Sequence, residues 1–318
     1  MTRAAAVDAA VDAAVDAALV DAAAVERDLA ELVARPPADV LGASTIPAAS
    51  AARLVERHGL DSTKALALLA LPVAGELARP AISGFRVAAV GIEADTGDLV
   101  LGANLEFPGS ELTTTIHAEG FVSLRARRRG HTLTTLAVRV AHPCAHCRQT
   151  LTESAGAATL SIVDLEGNVL SLDDVYPWPF GPAALGIEPD VPGRVRWSGL
   201  AFVGTAPPPR VAAALLETGA HAHAPYSGAP SAVVLGAADG RIVSAGCVES
   251  VAFNPSIGAT QAALVELAAN RIEPGDVVEA WLACTAGGAI DPEPGFRALL
   301  GAVAPIAALH VARWRIGT

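Results

Sequence analysis

The sequence predicts an α/β protein: two tandem α/β/α sandwiches with mixed sheets, preceded by an N-terminal helical leader. Three observations predict it. Short runs of β-branched and aliphatic residues alternate with helical stretches from about residue 62 onward. The same order of elements recurs after a proline-rich passage. Ahead of both lies an Ala/Val/Asp segment, residues 4–35, in which Val-Asp-Ala-Ala repeats in register.

In the leader, bounded at residues 1–50, a four-residue repeat keeps Val on one helical face with Asp beside it, and Ala favours the helix. Pro36-Pro37 ends it. A docked amphipathic helix and a poorly ordered tail are both compatible with that pattern. The first domain, residues 51–185, opens with a helical stretch at 62–77. Residues 85–92 then read as a strand, Asp95-Thr96-Gly97-Asp98 as a turn and 99–103 as the returning strand of a hairpin. A helix at 113–129, a strand at 133–140, a helix at 144–153 and a strand at 159–164 follow.

Tyr176-Pro177-Trp178-Pro179-Phe180-Gly181-Pro182 begins a linker that runs to Pro192-Gly193. The second domain, residues 198–318, repeats the order: helix 211–218, strand 232–235, turn Asp239-Gly240, strand 242–248, helix 259–270, strand 277–284 and helix 296–303. Spacing supports the repeat, since Ser83 to Asn104 is 21 residues and Ser227 to Cys247 is 20. In this repeat His117-Ala118-Glu119 falls on Gln261-Ala262-Ala263, Pro143-Cys144 on Pro292-Glu293 and Arg148 on Arg297. The second copy lacks the chemistry-bearing residues of the first.

Composition narrows the function classes. A formal charge of -11 over 318 residues repels phosphate backbones, so a nucleic-acid partner is not expected. The dense basic run, Arg125 with Arg127-Arg128-Arg129, reads as the exposed end of a helix, where cations suit the C-terminal dipole. No run reaches ~18 uninterrupted apolar residues, so no membrane span is expected. Asp8, Asp12 and Asp16 interrupt any signal-peptide core, and the cytoplasm is the expected compartment. Four cysteines are too few for a disulfide scaffold and point to metal or redox chemistry.

That chemistry concentrates in two pieces, Thr115-Ile116-His117-Ala118-Glu119 and Pro143-Cys144-Ala145-His146-Cys147-Arg148-Gln149. Each sits where a strand or loop gives way to a helix, so free backbone N–H groups and the helix dipole favour a thiolate. Two residues between Cys144 and Cys147 put both sulfurs on one side of a single turn, which suits tetrahedral zinc. With His117 as third ligand, a fourth position is left for water. Glu119 follows His117 too closely to share its coordination direction, and is placed as a proton carrier beside the metal. His146 reads either as a solvent-facing group or as one that supports the ligands from behind, and Arg148 as a donor to the thiolates. The cysteine pair alone also fits a structural zinc knuckle or a redox dithiol. A knuckle needs four protein ligands, and Cys247 and Cys284 lie on strands of the other domain.

The His-x-Glu and Pro-Cys-x-x-Cys pieces together carry the signature of zinc deaminases. With them the chain resembles the cytidine deaminase family, in its two-domain homodimeric branch, where a second domain keeps the fold without zinc. The resemblance runs from about Ser62 to the C-terminus. It includes Ser83-Gly84-Phe85-Arg86-Val87, Gly102-Ala103-Asn104-Leu105-Glu106-Phe107, Phe180-Gly181-Pro182, His223-Ala224-Pro225-Tyr226-Ser227 and Ala252-Phe253-Asn254-Pro255. It implies that Zn2+ is the cofactor, held by His117, Cys144 and Cys147, with Glu119 as the catalytic acid and base. It implies further that Asn104 and Glu106 hold the sugar hydroxyl of a nucleoside substrate and that Phe85 lies against the pyrimidine. Hydrolysis of cytidine, and of deoxycytidine, to the uridine product and ammonia is the reaction implied, and a homodimer the assembly. Gly120, Ala145, Gly84 and Ala88 depart from the family's usual Gln, Gly, Asn and Gly, which bears on substrate range and rate rather than on reaction type. Deamination of another aminopyrimidine, or a non-catalytic zinc-stabilised binding protein, are the rival readings.

Overall fold

A computed structural model describes residues 21–35, 37, 39–139 and 142–317. The repeated leader segment before Asp21 lies outside them. The described part of the leader is a docked helix, α1 (Ala22–Ala34), with Val25 and Leu29 fully buried. Asp21 caps it by accepting from the Ala24 N–H at 3.0 Å.

The chain divides into two compact units. The first takes in the residues up to Pro80, Gly84–Asn104 and His117–Pro179; the second takes in Ala81–Ser83, Leu105–Ile116 and Phe180–Thr318. The first unit contains β1 (Thr45–Ile46), α2 (Ala48–Arg57), α3 (Thr63–Leu69), α4 (Leu71–Gly75), β2 (Ala88–Glu93) and β3 (Leu99–Ala103). It continues with α5 (Ala118–Arg128), β4 (Leu133–Val138), α6 (Ala145–Leu151), β5 (Ser161–Val163), β6 (Val169–Ser171) and α7 (Leu172–Val175). Its six strands run in the order β1-β3-β2-β4-β5-β6, antiparallel except for the parallel pair β4 and β5.

Small residues decide where α5 lies on that sheet. Ala89 pairs with Gly102 and Gly91 with Val100, so these four side-chain positions share one face. A Cβ on Gly102 would stand 2.7 Å from Val122 Cγ2, and one on Gly91 would stand 2.5 Å from Val122 Cγ1. The two glycines therefore make a trough into which the α5 side chain Val122 drops, bringing the helix close to the strands. Ala118, Val122 and Ala126 repeat at helical spacing and join Ala89, Val100, Leu136 and Ile162 in one core.

The second unit holds β7 (Ala201–Val203), α8 (Pro209–Ala220), β8 (Ser231–Ala237), β9 (Ile242–Gly246), α9 (Ala259–Ala269), β10 (Val277–Thr285), α10 (Glu293–Val303) and β11 (Ala308–Arg315). The sheet order is β7-β11-β10-β8-β9, with β10 and β11 parallel and the other pairs antiparallel. Trp314, fully buried, anchors its core with Leu215, Val234 and Ala283. Each unit is thus a mixed sheet with packed helices, the α/β class expected from the sequence.

The arginine run differs from its expected exposure. Arg125 is fully buried and donates to the carbonyls of Leu41 and Ala43 at 2.9 and 2.7 Å. Arg129 donates Nε to Glu93 at 2.6 Å and Nη2 to Asp98 at 2.7 Å. The C-terminal turn of α5 faces the Leu41 and Ala43 carbonyls and the buried Glu93 carboxylate. Guanidinium groups satisfy both there, which a solvated helix end would not require.

Candidate metal centre

Helix termini position the cluster. His117 is the N-cap of α5 and Cys144 the N-cap of α6, while Cys147 sits in the first turn of α6. His117 Nδ1 lies 3.4 Å from the sulfur of Cys144 and 3.4 Å from that of Cys147. The two sulfurs are 3.7 Å apart. Tetrahedral zinc, with Zn–S of ~2.3 Å and Zn–N of ~2.05 Å, holds its ligand atoms roughly 3.8 Å (S to S) and 3.6 Å (S to N) apart. The three donors therefore already stand at the spacing the ion demands. Among the described residues they form a group able to hold a metal, with ligand atoms within 4.8 Å of one another.

Two thiols this close cannot both stay ordinary. A hydrogen bond shared with Cys147, then one with His117, pulls the Cys144 thiol down to about 3. The same pairing with Cys144, reinforced by burial, pushes Cys147 up. The pair thus shares its acidity unequally, and a metal that takes both sulfurs as thiolates displaces the protons they hold. His117 is raised, chiefly by its bond to Cys144.

Glu119 lies in the first turn of α5, is only 5% exposed and has Oε2 3.8 Å from the Cys147 sulfur. Burial raises its pKa. A carboxyl group that is desolvated, adjacent to the donor cluster and outside it has the character of a proton carrier.

The other expected site residues fall in two places. Asn104 is buried at the end of β3, accepting the Val87 N–H at 2.9 Å and donating Nδ2 to the Phe85 carbonyl at 2.9 Å. Phe85, half exposed, is thereby brought to Asn104 through its backbone. Two of the four hydrogen bonds an amide can make are used in this bracket. Glu106 belongs to the second unit, where Oε2 accepts the Ile82 and Ser83 N–H groups at 2.7 and 2.8 Å and Oε1 accepts the Ser83 hydroxyl. Burial alone would raise Glu106, but the Ser83 hydroxyl and the two N–H donors outweigh it and hold the carboxyl below its ordinary value.

Arg148 corrects a sequence expectation. It donates to the carbonyls of Pro143 and Val175, not to the thiolates. The guanidinium reaches carbonyls outside α6, one just before the helix and one at the end of α7. His146 is exposed, as expected of a solvent-facing group. His142 meets Asp164 at 3.0 Å.

The repeat also needs a different register. Leu105 bridges Ile116 in one copy and Val248 bridges Ile257 in the other. Glu249 accepts the Tyr226 and Ser227 N–H groups and the Ser227 hydroxyl, as Glu106 does with Ile82 and Ser83. Helix α9 begins at Ala259 after Gly258, as α5 begins at Ala118 after His117. His117 thus corresponds to Gly258 and Glu119 to Thr260, not to Gln261 and Ala263. By the same criterion the Cys144 position is Pro292, the N-cap of α10, rather than Glu293. Gln261 is a capping residue, accepting the Gly258 N–H at 3.0 Å.

Comparison with known proteins agrees with this geometry. The family described as the cytidine and deoxycytidylate deaminase zinc-binding region matches twice, over residues 61–163 and 172–293. A cytidine deaminase of Cronobacter sakazakii is 35% identical over 263 residues, 82% of this chain and 85% of that protein. The chain belongs to the cytidine deaminase family. A second cytidine deaminase, from a Shewanella species, is 34% identical over 85% of this chain and 88% of its own length. The crystal structure of a cytidine deaminase from Mycobacterium tuberculosis matches 34% of this chain and 89% of that one, at 30% identity and a TM-score of 0.31. Zinc is the metal for which the matched cytidine deaminase regions are described, and the His/Cys/Cys donor set fits it. Among the described residues no helix is long and apolar enough to cross a membrane.

Proposed function

We propose that the protein is a zinc-dependent hydrolase that converts cytidine, and deoxycytidine, to the uridine product and ammonia, serving pyrimidine salvage. The observation that carries the reading is the triad of donors at zinc spacing with a buried carboxyl group alongside, its pKa raised by that burial. His117, Cys144 and Cys147 hold the ion, which supplies Lewis acidity and brings a water's pKa down from 15.7 to about 7.

Glu119 does the proton work. Its raised pKa suits both directions of transfer: Oε takes the proton of the attacking water, delivers one to N3 of the base and assists departure of the amine as ammonia. Burial keeps bulk water from short-circuiting those transfers. Asn104, with its remaining amide hydrogen, and Glu106 hold the sugar hydroxyl. Phe85, its backbone fixed by Asn104, offers its ring to the pyrimidine. A homodimer is part of this reading, suggested by the two-domain resemblance and tested by sedimentation, and the cytoplasm is the compartment it implies.

The deciding experiment follows the ultraviolet absorbance of cytidine, deoxycytidine and single-stranded DNA with the zinc-loaded protein, together with ammonia release. Turnover of the two nucleosides and none of the polynucleotide supports the proposal. Absence of ammonia from any pyrimidine, with zinc bound, refutes it.

A further inference from the structure

The turn that carries both cysteines is tied to a distant stretch of chain that the reaction does not otherwise use. Arg148 donates Nε to the Pro143 carbonyl, just ahead of Cys144, and Nη1 to the Val175 carbonyl at 2.5 Å. The next residue, Gln149, is 5% exposed, and its Oε1 accepts the Tyr176 hydroxyl at 2.6 Å. Two successive residues of α6 thus grip two successive residues at the end of α7, where the chain enters Pro177-Trp178-Pro179.

Helix α6 is only seven residues long, and its N-cap, Cys144, makes no side-chain capping bond. Such a short element has little rigidity of its own. Yet ligand atoms must be held to a fraction of an ångström for a metal to be bound tightly. A planar guanidinium that spans two carbonyls fixes their separation, and a buried amide that accepts a phenol fixes the next rung.

We propose that Arg148, Gln149 and Tyr176 form a clamp that positions the Cys144–Cys147 turn for zinc, making residues 175–176 part of the support of the metal site. None of the three touches the ion; they are positioning residues. The clamp rests on the reading that zinc sits on His117, Cys144 and Cys147. A lysine at 148 keeps the charge but reaches one carbonyl, and so does not reproduce the bridge. Tyr176→Phe removes one oxygen and leaves the Gln149 carbonyl oxygen buried without that donor.

The test uses the full-length zinc-loaded protein and its Tyr176→Phe and Arg148→Lys variants. Zinc content is measured first, then the rate of zinc transfer to an excess of chromophoric chelator, then KM and kcat for cytidine. Both variants are expected to release zinc roughly tenfold faster or more, the size of effect typical of groups that orient metal ligands. Their kcat should fall while KM stays within about twofold, because the clamp acts on the ion's setting. Wild-type protein without zinc overturns the metal reading itself. Zinc in the wild type with release within twofold in both variants overturns the clamp alone, as does a lowered melting temperature with unchanged release. Should Arg148→Lys not fold, Tyr176→Phe decides.

Discussion

Gly102 is the position at which a single added methyl group should disturb the chemistry most clearly from a distance. It lies on β3, beneath the helix that His117 caps and whose first turn carries Glu119. A Cβ there would meet Val122 Cγ2 at 2.7 Å, Phe121 Cδ1 at 2.9 Å and the Val122 backbone nitrogen at 3.1 Å. Carbon contacts settle at about 3.5–4.0 Å, so the shortfall against Val122 is about 0.8 Å or more. Val122 is β-branched and stiff in a helix, and a backbone atom cannot turn aside. The helix itself must move. Overpacking of this kind costs about 1–3 kcal/mol, and a misplacement near 1 Å at reacting groups can cost ~100-fold in rate. Gly102→Ala is therefore expected to lower the urea midpoint by that stability and kcat by at least about tenfold, measured on zinc-replete protein. Gly301→Ala, in α10 with nothing within 4 Å of the new methyl, is the control. It should be neutral or stabilising by about 0.5–1 kcal/mol. A Gly102→Ala protein with wild-type midpoint and turnover would refute the argument that this glycine sets the height of the catalytic helix.

Three further outcomes follow from the same contacts. Glu119→Ala should keep its zinc by metal analysis yet lose about 10²–10⁴ in kcat, the usual worth of a general acid and base; near-normal turnover would remove the residue from the mechanism. Arg129→Ala leaves the Glu93 carboxylate, whose side chain is fully buried, without its guanidinium, and should cost about 3–5 kcal/mol in urea unfolding. Glu106 has a depressed folded pKa, so its stabilisation is complete above the unfolded carboxyl value and is lost as pH falls through the lowered one. Ser83→Ala, which removes a principal donor, should flatten that part of the acid-stability curve, and an unchanged curve would contradict the assignment.

Much of the first unit was legible because its signals are local. The hairpin around Asp95-Thr96-Gly97-Asp98 has turn residues that announce it. The zinc donors were legible because two residues between cysteines and a helix start fix geometry almost regardless of context. Boundaries were less so: the helix expected at 113–129 splits into a 3-10 turn at Leu112–Thr114 and α5, since Leu105 and Ile116 pair as strands between them. Strand β11 went unseen because Ala-Leu-His-Val-Ala-Arg-Trp-Arg shows no clean alternation of apolar and polar residues. Its strand state is set by pairing on both edges with β10 and β7. The arginines of α5 were misread for a related reason. Their partners, Leu41, Ala43, Glu93 and Asp98, lie 31 or more residues away in sequence, where no local pattern reaches. The register of the repeat slipped because Ala-rich helix α9 resembles itself at several offsets, and only the caps and bridges resolve it.

X-ray absorption at the zinc edge of the purified protein reads the coordination sphere directly. The expected first shell is two sulfurs at about 2.3 Å, one imidazole nitrogen at about 2.0 Å and one further light atom that exchanges with added ligand. A shell of three or four sulfurs, a fourth protein ligand that no solute displaces, or protein that retains no zinc would contradict it.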